Sequence, residues 1–215
     1  PISIMKGRGG MARGVLGALI GCALVWPGTA WSGETATEAI KRSIDTLIKV
    51  LSDEALKKPD RVTERRRQME KIVGERFSYE EMAKRSLGAQ WAKMDDKQKT
   101  EFVDLFMRLL TNSYADKIEG YSGEQVHYLN ERKEEDYAEV RTKIASGKTE
   151  IPLDYRLLNK SGDWRIYDVV IDGVSLVKNY RSQFDKIIRT SGYDDLVKQL
   201  RDKSDQFVKV KADKP

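Results

Sequence analysis

The sequence predicts an α+β fold in which a curved four-stranded antiparallel sheet is wrapped by about six helices. Two observations carry this prediction. Apolar residues recur at helical spacing from residue 35 to 120 and again from 175 to 205. Between 124 and 171 the pattern becomes strand-like, in four runs separated by short connections, as consecutive antiparallel hairpins require. Helices, then a meander, then helices is an α+β order that places helices against one face of the sheet.

The elements follow in turn. Thr35 and Glu38 form a capping box for a first helix with the stripe Ile40, Ile44, Leu47, Ile48 and Leu51. Lys57-Lys58-Pro59-Asp60 breaks the chain. A second helix is charged on most sides but carries Met69, Ile72 and Val73 on one. Ser78 and Glu81 make a second capping box for a short third helix with Met82 and Leu87. Asp95, with Gln98 at the third helical position, opens a long fourth helix bearing Phe102, Leu105, Phe106, Leu109 and Leu110.

Strands are expected at 124–130, 137–145, 150–159 and 163–171. The second alternates Ala138, Val140, Thr142 and Ile144, and the third alternates Ile151, Leu153, Tyr155 and Leu157. The fourth carries Trp164, Ile166, Tyr167, Val169, Val170 and Ile171, apolar on both faces, so both faces should be covered. Asp172-Gly173 turns the chain and Ser175 caps a helix with Leu176, Val177, Tyr180, Phe184, Ile187 and Ile188. Gly192 should end it in a left-handed conformation, and Asp194 should start the last helix.

The first thirty residues read as an export signal. Lys6, Arg8 and Arg13 precede the apolar run Val15–Trp26, and Gly28-Thr29-Ala30 offers small residues for cleavage. The run is too short to span a bilayer comfortably. Cys22 follows Leu19-Ile20-Gly21, a pattern at which lipoproteins are cut and lipidated. The apolar run continues past it, which favours a soluble exported product. The chain has 39 basic and 34 acidic residues, a net +5; without the three basic residues of the segment, 36 stand against 34, a net +2. The basicity belongs largely to the segment, and no nucleic-acid footprint is expected. The run Arg61, Arg65, Arg66, Arg67 and Lys71 is broken by Glu64, Glu70 and Glu75 and reads as a solvated helix face.

Groups for catalysis are scarce. His127 is the only histidine and Cys22 the only cysteine. No HExxH, Walker or GxSxG pattern occurs. Acidic pairs fall at helix starts or turns, where carboxylates are expected without catalysis. Neither a catalytic nor a metal site is expected, and no cofactor. Asp168, inside an apolar strand, needs a partner such as Arg156, Arg165 or Arg189 if buried. A structural ion pair is the favoured account.

Several motifs occur together in order. They are the W-x-x-Y-D of Trp164, Tyr167 and Asp168, the D-G-V-S-L of Asp172–Leu176, and the R-T-x-G of Arg189–Gly192. Upstream are Leu87-Gly88, a K-x-x-F-x-x-x-F-x-x-x-L helix from Lys99 to Leu110, and Tyr121-Ser122-Gly123. With these the chain resembles, over most of Ala36–Ser204, the MlaC or toluene-tolerance family of periplasmic phospholipid-binding proteins. The resemblance implies a nuclear-transport-factor-like or cystatin-like sheet wrapped by helices, with an apolar cavity between them. The expected regions are an export signal (1–30), one domain (31–207) that the resemblance makes lipid-binding, and a flexible charged tail (208–215). Bound phospholipid would be cargo rather than cofactor, and contact with its headgroup at the cavity mouth is the alternative account of Asp168. Partners would be an inner-membrane ABC transport complex with an MCE-domain protein and an outer-membrane lipoprotein–porin complex, and the role would be maintenance of outer-membrane lipid asymmetry. On alternation and helical spacing, Val140, Ile144, Leu153, Tyr155 and Leu157 are expected to line the sheet side of the cavity. Phe102, Phe106, Leu109, Leu110, Val177, Tyr180 and Phe184 are expected to face them from helices. The alternatives are a periplasmic binding module for other apolar compounds, such as isoprenoid lipid or hydrocarbon, and a non-lipid-binding adaptor of an ABC transporter.

Overall fold

Capping residues and two-residue turns mark out the elements. The computed structural model describes residues 33–212, so the export-signal and Cys22 readings lie outside the described residues. Helices α1 (Ala36–Ser52), α2 (Val62–Arg76), α3 (Tyr79–Leu87) and α4 (Asp96–Glu119) come first. Strands β1 (Gln125–Glu134), β2 (Tyr137–Ser146), β3 (Thr149–Lys160), β4 (Asp163–Ile171) and β5 (Val174–Ser175) follow, then α5 (Leu176–Ser191) and α6 (Tyr193–Ala212). Short 3₁₀ turns at Pro59–Arg61 and Gly88–Lys93 sit before α2 and α4. Helix α6 runs past residue 207, where the domain was expected to end.

Both capping-box expectations at Thr35 and Asp95 hold: each side chain accepts from the N–H three residues on, and Glu38 and Gln98 accept from the cap residue in return. The Ser78–Glu81 box does not form. Phe77 pairs with Ile166 of β4 in a parallel bridge, and the Ser78 N–H donates to the Ile166 carbonyl at 2.8 Å. That pairing holds Ser78 at a backbone geometry unsuited to a cap, and Glu81 instead pairs with Arg85 at 2.7 Å.

The sheet is antiparallel with strand order β1-β2-β3-β4-β5. The fifth strand, absent from the expectation, is two residues long. Asp172 and Gly173 both have positive φ, 49° and 78°, the pattern of a type I′ hairpin turn. The chain therefore folds back and pairs Val174 with Ile171 and Ser175 with Val170 before α5 begins. Ser175 then accepts from the Lys178 N–H, as expected of a cap.

Gly192 has φ 90° and ψ 169°, an extended rather than a left-handed helical ψ. Helix α6 starts at the next residue, so Gly192 closes α5 through its N–H to the Ile188 carbonyl and also serves as the N-cap of α6, in place of Asp194. This region of backbone space is almost exclusive to glycine. An added Cβ meets nothing within 4 Å, so the cost of substitution is purely conformational. Gly192→Ala should lower unfolding free energy by about 1–3 kcal/mol, read from urea titration.

Helices lie on both faces of the sheet, not one. Two buried clusters result. Helix α1 packs Ala36, Ala39 and Ile40 against Ala138, Val140, Leu157, Trp164, Ile166 and Val169. Helices α3 to α6 form the other cluster around Phe102, Phe106, Phe184 and Leu196. Phe77 touches both. Strand β4 lies between them, and its two faces are covered as expected. Asp168 reaches the start of α5 on one face, while Val169 joins the α1 cluster on the other. The Arg85 guanidinium of α3 lies 4.2 Å from the Tyr167 ring centre on the α5 side. Arg76, at the end of α2, ties these layers: it donates to Ser43 Oγ at 2.8 Å and to the Trp164 carbonyl at 2.5 Å.

Candidate lipid-binding face

The α1 face of the sheet grades from sealed core to accessible apolar wall. Val140, Leu157 and Thr142 are fully buried at 0% exposure. Next to them Ile44 of α1, Tyr128 of β1, Leu153 and Tyr155 of β3 and Ile171 of β4 pack against the same cluster but stay only half-buried. Further along α1, Leu47 and Ile48 are half-buried as well, although they continue the helix's apolar stripe. The N-terminal half of α1 is pinned. Glu131 of β1 accepts from the Thr37 N–H at 2.8 Å, and the Trp164 indole N–H donates to the Glu34 carbonyl at 2.9 Å. The C-terminal half carries the accessible apolar residues.

The expected lining residues do not converge on one space. Val140 and Leu157 are core beneath α1, Leu153 and Tyr155 belong to the half-buried wall, and Ile144 is half-buried too but outside either cluster. Phe102, Phe106, Leu109, Leu110, Val177 and Phe184 lie inside the helical cluster, with Tyr180 packed on it. There the rings of Phe102, Phe106, Tyr180 and Phe184 sit 5.2–6.0 Å apart in edge-on, tilted and stacked pairs, the geometry of a filled aromatic core. The helical set therefore does not face the sheet set. The reason is that α4 spends its apolar stripe on its helical neighbours, and α5 leaves the sheet on the face away from α1. Ile44 and Ile171, expected only as apolar faces of the first helix and fourth strand, and Tyr128, not named at all, join the wall. In β1 a bulge between Tyr128 and Asn130 extrudes Leu129, which is 54% exposed. That exposed leucine breaks the Val126–Tyr128 alternation which would otherwise have marked Tyr128.

Burial raises the Tyr155 phenol above its usual range, and the neighbouring Tyr128 adds to this. Tyr128 is pushed up to about 12, first by burial and then by the Asp45 carboxylate of α1. Burial also pushes Tyr193 up to about 12. The folded protein thus holds these phenols neutral while an unfolded chain would ionise them at about pH 10. Their contribution is complete below about pH 10 and is lost as pH rises through 12, so the urea midpoint should fall across that window. Tyr128→Phe should flatten the fall.

Asp168 takes the structural role. Its carboxylate accepts from Arg156 at 3.1 Å, from the Ser175 hydroxyl at 2.7 Å and from the Val177 N–H at 3.0 Å. Arg165 pairs instead with Asp163, and Arg189 with Asp185. His127 is exposed on β1. Among the described residues no cluster of three or more His, Cys, Asp or Glu side chains is placed to hold a metal, and no helix is long and apolar enough to cross a membrane. Two surface depressions, of about 680 and 310 Å³, each lie along one helix and are lined mostly by charged side chains, Asp96–Asp104 on α4 and Glu38–Lys49 on α1. Neither suits an acyl chain.

The sequence profile described as "MlaC protein" matches residues 41–202. The chain belongs to the MlaC family. The "Intermembrane phospholipid transport system binding protein MlaC" of Haemophilus influenzae is 25% identical over 126 residues, 56% of this chain and 59% of that protein. The "Toluene tolerance protein ttg2D" of Pseudomonas putida is 26% identical over 105 residues, 47% of this chain and 48% of that protein. The chain thus matches about half the length of these curated relatives. A solved structure described as a phospholipid-binding protein from Ralstonia solanacearum in complex with a phospholipid aligns with a TM-score of 0.72. It is 23% identical and covers 81% of this chain and 99% of its own, so this MlaC-family chain shares its α+β fold.

Proposed function

We propose that this chain is a phospholipid carrier: it takes acyl chains against the half-buried wall under α1 and moves lipid between membranes. Family membership across residues 41–202 is the observation that carries the reading, and the half-buried apolar residues beside the α1 cluster support it. The family is one of transport binding proteins, and no enzymatic role is proposed. Each acyl methylene removed from water contributes about 0.8 kcal/mol. A lipid with some 30 methylenes therefore gains on the order of 20 kcal/mol relative to water, before ordering costs. Most of that gain is forfeited on leaving a bilayer, where the tails were already dry. Affinity relative to a membrane then lies near balance, as transfer in either direction requires. Headgroups are costly to desolvate, so they stay outside the apolar wall.

The place of action is the periplasm. The partners are an inner-membrane ABC complex with an MCE-domain protein and an outer-membrane lipoprotein–porin complex, and the outcome is outer-membrane lipid asymmetry. Native mass spectrometry of protein purified from periplasm, with lipid extraction of the same sample, tests the reading. Phospholipid at about one per protein is expected. A protein that runs empty and stays empty after incubation with phospholipid vesicles overturns carriage and favours an adaptor. Another apolar compound in the extract favours the broader binding module.

A further inference from the structure

Among the described residues, buried polar side chains are satisfied with few exceptions. Arg76, Ser86, Ser175 and the Trp164 indole all have partners, and the Tyr79 and Tyr180 phenols bond Thr111 and Ser113. Among the described residues, two side-chain atoms are buried without a hydrogen-bond partner, the hydroxyls of Tyr128 and Tyr193. A buried, unpaired hydroxyl is costly, and phenylalanine would fill nearly the same volume without that cost. Tyr193 lies at the helical core, against Phe102 and near Glu101 and Asp194, away from the apolar wall. Tyr128 lies in the wall itself, beside Tyr155 and under α1; the residue is half-buried but its hydroxyl is covered, so a lipid reaches that oxygen by displacing the side chains over it.

We propose that the Tyr128 hydroxyl is the polar anchor of the lipid site and donates a hydrogen bond to an acyl-ester carbonyl oxygen of the bound lipid. This rests on the carrier reading and specifies which part of the lipid the protein recognises. The neighbourhood selects the acceptor. Ile44, Leu153, Tyr155 and Ile171 make the surroundings apolar and suited to acyl chains. A phosphate or a free carboxylate would have to shed its hydration there, at a far larger cost than a neutral ester carbonyl. In a diacyl phospholipid the ester carbonyls lie where the tails join the polar head, so this contact sets the depth to which the lipid enters. The tails then lie along the wall and the phosphate stays outside.

The test compares diester and diether phosphatidylcholine of equal chain length, loaded from vesicles onto the wild-type protein and onto Tyr128→Phe. The diether lipid keeps the tails and head but lacks the carbonyls. The wild type should retain diester over diether by about three- to tenfold, the worth of one neutral hydrogen bond, and Tyr128→Phe should bind both alike. Lipid-free Tyr128→Phe should unfold at the same urea concentration as the wild type or a higher one. A wild type that binds both lipids equally overturns the anchor and leaves the carrier reading intact. A preference that persists in Tyr128→Phe assigns the contact to another donor. A lipid-free variant less stable than the wild type shows that the hydroxyl has a partner within the protein, and also overturns the anchor. A wild type that binds neither lipid overturns the carrier reading, and the anchor with it.

Discussion

Asp168→Ala should lower unfolding free energy by about 3 kcal/mol, seen as a reduced urea midpoint with an unchanged slope. The Asp168 side chain is only 5% exposed, and it accepts three hydrogen bonds from three parts of the chain: Arg156 on β3, Ser175 at the β5 end, and the Val177 N–H in the first turn of α5. Removal leaves the Val177 N–H and the Ser175 hydroxyl without their acceptor in a dry place. The Arg156 guanidinium suffers less, because its side chain is 32% exposed and Glu139 also reaches it, at 3.4 Å. The loss should therefore fall at the lower end of what breaking a buried pair costs. Asp168→Asn keeps an acceptor but not the charge and should fall between. An Asp168→Ala protein as stable as the wild type, with lipid loading alone impaired, would move Asp168 from structure to the headgroup contact that was its alternative reading.

Leu153→Arg should remove bound phospholipid while the helical circular dichroism persists. Leu157→Arg, four residues along the same strand and face, should prevent accumulation of folded protein. The two positions differ in depth. Leu157 is fully buried under α1, and a guanidinium there has neither a partner nor a route to water. Leu153 is half-buried, so an arginine can extend its head to solvent while its charge spoils the surface that acyl chains would cover. Copurifying lipid should drop by about tenfold or more for Leu153→Arg, since burying even a few methylenes less costs over 1.4 kcal/mol. Lipid still present at one per protein in that variant would place the acyl chains elsewhere.

What was legible in the sequence is what depends on neighbours along the chain. The capping boxes at Thr35 and Asp95, the Ser175 cap and the Asp172-Gly173 turn are decided within four residues, and the structure has them as read. The hairpin order and the alternation of β2 are also as read; in β3, Leu153, Tyr155 and Leu157 share the α1 face as expected, but Ile151 is exposed. The Ser78 box failed because a partner distant in sequence, Ile166, took the backbone of Ser78 first.

Tertiary structure alone decided which apolar faces meet. A bulge in β4 opposite Arg156 and Leu157 inserts Tyr167, so the alternation shifts by one: Trp164 and Ile166 join the α1 cluster before it, and Val169 after it. The same shift turns Asp168 to the α5 side, where its hydrogen bonds await it. A second bulge in β1 hid Tyr128 from the pattern by exposing Leu129. The aromatic stripe of α4 was equally apolar whether it met a sheet, a lipid or another helix, and it met α5 and α6. By itself the sequence determined the six helices, the four long strands and their order, because local hydrogen bonding and periodicity specify these, and its ordered motifs carried the resemblance to the family. It did not determine the division into a filled helical core and a half-open wall, because burial of apolar surface is non-directional and only the packed chain selects its partners.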